Sequence, residues 1–143
     1  MDIRKYPTRA DMEIAHQREV NSFPMVFAFD RETLKRECLN VFDLDIDEPG
    51  NLKQLVGIGG GGVIRRSDIK AFNEMFERQK EEKKVFAKDF NNLVAVIVSA
   101  MRDHEYSYTI DKEDVLTELS AYTDNPRFDE AWRKAEKKVL RAL

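Results

Sequence analysis

Residues able to do chemistry fall in four short segments. The first is a glycine cluster: five of the six glycines lie within residues 57–62, and Arg65 and Arg66 follow closely. Clustered glycine is entropically costly, so it implies positive φ or the close approach of another backbone or ligand. The letters fit G-x-G-x-x-G. A dinucleotide fold, however, starts its helix inside that pattern, and here Val63, Ile64, Arg65 and Arg66 intervene. A phosphate loop needs Lys and Ser or Thr directly after Gly62, where Val63 and Ile64 stand. Two readings remain. The amides of Gly59, Gly60, Gly61 and Gly62, with Arg65, Arg66 and the next helix start, could converge on a phosphate. Alternatively the glycines are a tight turn with the arginines on its solvent side, which is simpler because Asp68 already occupies that helix start.

The second segment, Asp43-Leu44-Asp45-Ile46-Asp47, has the D-x-D-x-D spacing of a calcium loop. Its sixth position is Glu48 instead of glycine and its twelfth is Gln54 instead of glutamate, so a solvated acidic loop is expected. The third, Asp103-His104-Glu105-Tyr106-Ser107-Tyr108-Thr109, sets a histidine beside two carboxylates, a pattern able to do acid–base work. Extended, it would put His104, Tyr106 and Tyr108 on one face. The simpler reading is a helix end whose tyrosines pack on the sheet. The fourth, residues 132–143, carries Arg133, Lys134, Lys137, Lys138 and Arg141 against Glu136 alone. Such a face could touch nucleic acid or an acidic partner, but late basic residues also complement the helix dipole. Neither a metal nor a cofactor is expected, because zinc would need three or four ligands at recognisable spacing and Cys38 has no ligand-like neighbour.

Positioning these segments requires a particular set of elements. Thr8 and Asp11 resemble a capping box, which predicts a helix over 8–21. Pro24 ends it. Residues 25–29, Met-Val-Phe-Ala-Phe, read as a buried strand or as a docking segment, and length and aromatic content favour strand. Asp30 should cap a helix over 31–42, with Leu34, Cys38 and Val41 on one side. Two β-type runs around the glycines predict a hairpin. Ser67 or Asp68 should cap a helix bearing Ile69, Phe72 and Phe76, with the charged run 80–84 as its solvated end. Residues 86–102 combine strand propensity with helical spacing, and helix is the reading taken. Asp111 should cap a short helix with Val115, Leu116 and Leu119. The last helix should start at Asn125-Pro126 and bury Phe128, Ala131, Trp132, Ala135, Val139 and Leu143. The expected fold class is α+β: one mostly helical domain over 1–143, with a loose arm over 1–7 and a small antiparallel sheet. Its core should gather Phe72, Phe76, Phe90, Leu93, Ile97, Leu119 and Trp132.

Composition narrows the function. With 143 residues, 42% hydrophobic and 36% charged, the chain suits a single folded domain and not a disordered one. The longest apolar run spans six residues, 93–98, far short of the ~20 that a bilayer requires. A lone cysteine and the absence of an apolar leader fit the cytoplasm. A net charge of −3 argues against strong non-specific DNA binding.

The strings GGGGVIRRSDIKAF and DHEYSYT resemble the signature of a family of small uncharacterised proteins from bacteriophages, prophages and their hosts. The resemblance covers about residues 23–119 and includes an aromatic strand before the glycines. It departs at Asp103, where asparagine is expected, and in the acidic loop. It implies a mobile-element accessory protein and transfers no catalytic residue. The leading expectation is a non-catalytic interaction module acting on a protein or nucleic-acid partner. The rival is a small enzyme, or a domain binding an anion or phosphate ligand, that uses the 57–62 loop with Arg65, Arg66 and His104. Tyr106 joins the expected binding surface.

Overall fold

Asp30 shows how local chemistry sets the elements. In a computed structural model, which describes residues 2–141, its carboxylate accepts the Thr33 N–H at 2.8 Å and starts a helix where the sequence predicts one. The elements run α1 (Arg9–Ser22), β1 (Val26–Phe27), α2 (Arg31–Phe42), β2 (Leu55–Gly59), β3 (Gly62–Arg65), α3 (Ile69–Phe86), α4 (Phe90–Asp103), α5 (Tyr106–Thr109), α6 (Glu113–Glu118) and α7 (Phe128–Arg141). The fold is mostly helical α+β, with one three-stranded antiparallel sheet of order β1-β3-β2. The chain divides into two compact units, residues 17–76 and residues 2–16 with 77–141.

In the 17–76 unit the sheet and α2 enclose Val26, Cys38, Phe42, Ile46 and Leu55. Cys38 is fully buried, and burial, with Glu37 nearby, pushes its thiol above the usual range. Only Val26 of the expected buried strand is inside; Phe27 and Phe29 are exposed, as is Val41 on α2. The strand is two residues long, so little of the aromatic run is sheltered. Asp47 of the acidic loop is bonded to Arg31 and Lys35, which together hold its carboxyl below the usual range.

In the other unit α4 packs along α7. Leu93, Val94, Ile97, Ala100 and Met101 meet Phe128, Ala131, Trp132, Ala135 and Val139, with Tyr106, Val115, Leu119 and Tyr122 completing the cluster. Each large aliphatic side chain fully buried there stabilises the fold by about 1.5–3 kcal/mol. Helix, not strand, is thus the outcome for residues 94–98. The helix begins at Phe90 instead of residue 86, because Asp89 accepts the Asn91 and Asn92 N–H groups and restarts the chain after α3.

Several expectations need correcting. Of the predicted core, Leu93, Ile97, Leu119 and Trp132 cluster together, while Phe90 is half-buried against them. Phe72 belongs to the other unit, packed on Phe23 and Phe76, and Phe76 is exposed. Helix α3 buries Met75, Gln79, Glu82 and Phe86, so the charged run 80–84 is not simply its solvated end. No side chain of Ser67 or Asp68 caps α3; a single 3-10 turn, Arg66–Asp68, leads into it. The last helix begins at Phe128, with Asn125 accepting the Arg127 N–H in the preceding turn. Leu143 of its expected stripe lies outside the described residues. The described part of the expected arm has neither helix nor strand, yet Arg4 and Tyr6 are bonded into the fold.

Candidate functional site

The glycine cluster does form a hairpin tip. Gly59 pairs with Gly62, leaving Gly60 and Gly61 as a two-residue turn at φ +58° and +77°. Positive φ at both central residues matches the twist of the flanking strands. The register slips between Gly57 and Gly59, a bulge that accounts for glycines beyond the turn itself. A Cβ on Gly61 would lie 2.8 Å from the Phe29 ring, so a side chain there would have to displace that exposed ring. The ring near Gly61 is that of Phe29, from the same unit. The Ala28 N–H donates to the Gly61 carbonyl at 2.9 Å and anchors the aromatic segment to the turn. Arg65 Nε donates to Asp68 at 2.7 Å, and its guanidinium lies over Phe42. Arg66 donates to the Lys53 and Leu55 carbonyls. Both arginines thus spend donors on their own chain.

His104 and Tyr106 lie in the other unit. The segment is not extended: Tyr106–Thr109 is a single helical turn entered through Glu105 at φ +52°. Its tyrosines therefore separate. Tyr106 is buried edge-on to Trp132, not on the sheet, and its hydroxyl donates to Glu136 at 2.6 Å. Burial and the Glu136 carboxylate raise its phenol to about 12. Tyr108 points to solvent, at 80% exposure. His104 Nε2 is 3.8 Å from Glu118, beyond hydrogen-bond reach. Burial and the neighbouring Asp103 carboxylate, partly offset by His104, raise the Glu118 carboxyl.

The most unusual ionisable group is one that sequence reasoning missed. Glu82 is wholly buried. Its carboxylate accepts the Arg4 N–H at 2.9 Å, the Tyr6 hydroxyl at 3.0 Å, Arg78 at 2.8 Å, and His16 Nε2 at 2.8 Å. Burial alone would raise this carboxyl; the four donors outweigh it and hold the group at about 2. A carboxylate–histidine pair is also the core of many general-base sites. Here, however, His16 Nδ1 is sealed from solvent and has no hydrogen-bond partner among the described residues. The arrangement therefore ties the N-terminal segment and α1 to α3. A usable signal existed: residues 75, 79, 82 and 86 follow a helical face, with apolar residues at both ends.

The class so defined is a mostly helical α+β protein with a buried carboxylate joining its N-terminal segment to α3. The chain belongs to DUF7659, a family of unknown function, whose model matches residues 8–138. No curated protein and no solved structure matches it. Among the described residues, no group of histidine, cysteine and carboxylate side chains could hold a metal, and no helix is long and apolar enough to cross a membrane.

Proposed function

We propose that the chain is a non-catalytic interaction module that binds a protein partner through the glycine hairpin and the aromatic segment beside it. The observation that carries this reading is Phe29, 87% exposed beside Gly61, with Phe27 also exposed two residues away. An exposed aromatic offers a partner large apolar area. The glycine turn beside it leaves backbone groups approachable. Protein is favoured over nucleic acid because Arg65 and Arg66 are engaged with their own chain and carboxylates outnumber cations in this unit. The same engagement weakens the anion-site alternative at the loop. The setting we attach is a mobile-element accessory role in the bacterial cytoplasm, drawn from the likeness of the GGGGVIRRSD and DHEYSYT strings to phage and prophage proteins.

The test is co-purification from a bacterial host by wild type and Phe29→Ala in parallel, each with and without nuclease. A protein held by wild type, retained after nuclease and lost from the folded variant supports the proposal. Retention by Phe29→Ala, or loss on nuclease treatment, overturns it.

A further inference from the structure

A cleft of ≈540 Å³ opens beside Glu82, between the N-terminal segment, the end of α3 and the first turn of α4. Its volume falls within the range of small-molecule sites, ~300–1,000 Å³. We propose that this cleft binds a small organic oxyanion, a carboxylate or phosphate carried on an apolar body.

The charge balance points to an anion. Arg4 and Lys5 line one wall and Lys88 the other. Neither Lys5 nor Lys88 forms an ion pair with a described residue. The lining includes two carboxylates, and both are committed. Glu82 accepts four donors, among them the Arg78 guanidinium that offsets its charge. Asp89 holds the Asn91 and Asn92 N–H groups at 2.8 and 3.2 Å. The cleft therefore carries an excess of cation beside low-dielectric walls, which strengthens attraction for a negative ligand. Its apolar surface comes from Ile3, Val85 and Phe86. A ligand with one charged end and one apolar end satisfies both parts, whereas a bare anion leaves the apolar wall in water.

The cleft is also preorganised. The N-terminal wall is not a free tail, because the Arg4 amide and the Tyr6 hydroxyl are both fastened to Glu82. The opposite wall is the capped start of α4. Ligand binding thus need not order either wall, which removes a common cost of association. None of these residues belongs to the contact surface proposed for the 17–76 unit, so the two readings stand or fall separately.

The probe is 1-naphthyl phosphate, followed by amide chemical shifts in the full chain. Inorganic phosphate and 1-naphthol serve as its two halves, and 1-naphthoate distinguishes carboxylate from phosphate. The expected result is saturable shifts at Lys5, Tyr6, Lys88 and Asn92, with either half binding at least about tenfold more weakly. The double variant Lys5→Glu, Lys88→Glu replaces two exposed side chains and should keep its thermal midpoint while losing at least about tenfold in affinity. Equal binding by 1-naphthol, the absence of saturable shifts, shifts centred elsewhere, or unchanged affinity in the double variant would each overturn the assignment.

Discussion

Replacing Glu82 with glutamine keeps the shape of the side chain and removes its charge. The wild-type carboxyl is held at about 2 against an ordinary 4.5. At about 1.4 kcal/mol per pH unit, that depression corresponds to about 3 kcal/mol favouring the ionised folded state. Glutamine also turns an NH₂ group toward donors from Arg4, Tyr6, His16 and Arg78, leaving some of them unpaired. The expected loss near neutral pH is therefore about 3–5 kcal/mol, the range for breaking one side of a buried ion pair. The sign of the pH dependence follows from the depressed folded value. The carboxylate's contribution is fully present above the ordinary carboxyl range and fades as pH falls toward about 2. Urea denaturation of both proteins over a series of pH values reads this directly. The gap between them should be widest near neutrality and shrink below the ordinary carboxyl range. A gap under about 1 kcal/mol at neutral pH, or one that stays constant on acidification, refutes the reasoning.

Three further outcomes are expected. Gly61→Ala should destabilise more than Gly60→Ala, which should cost about 1 kcal/mol: both need positive φ, but only at Gly61 would the added Cβ meet a ring, 2.8 Å away, and adding Phe29→Ala should recover part of the loss at Gly61 alone in thermal melts. Tyr106→Phe should cost about 1.5–3 kcal/mol through the lost bond to Glu136; because the phenol is raised, that contribution should be present below its ordinary range and vanish as pH rises through about 12, seen by comparing ultraviolet titrations of variant and wild type. Trp132→Ala should cost about 3–5 kcal/mol and Phe76→Ala about 1 kcal/mol or less, by denaturant midpoints, since the first lies in the core and the second is exposed.

Elements governed by short-range chemistry were readable from the sequence. Asp30 caps α2, Thr8 accepts the Asp11 N–H at 3.1 Å, and the glycines turn a hairpin, because each depends on neighbours a few residues away. Periodicity also carried α4 against its β-branched propensity, since its tertiary contacts bury one broad face. What was hidden depends on long-range partners. Glu82 sits among lysines and glutamates, and charged residues are almost never fully buried without a partner. Its partners Arg4, Tyr6 and His16 are 66 to 78 residues away, and no local pattern joins them. The same holds for Phe76: its spacing with Phe72 suggested a core stripe, but the buried face of α3 runs through Met75, Gln79, Glu82 and Phe86. At the candidate site the glycines form a hairpin tip as the sequence predicts, whereas the approach of Phe29 to Gly61 depends on the pairing of β1 with β3, which no local pattern specifies.

The long separation between Glu82 and its donors orders events during synthesis. Arg4, Tyr6 and His16 leave the ribosome well before residue 82 has been made. Chains emerge at about 5–20 residues per second, so the opening segment spends several seconds without its acceptor. During that interval the Arg4 amide and the Tyr6 hydroxyl have only water to satisfy them. The N-terminal segment therefore becomes fixed late although it is made first, and its closure follows the appearance of α3. Closing so large a loop costs entropy that only the later bonds offset. The bond set around one carboxylate thus marks the stage at which Arg4, Tyr6 and His16 are committed to their final positions.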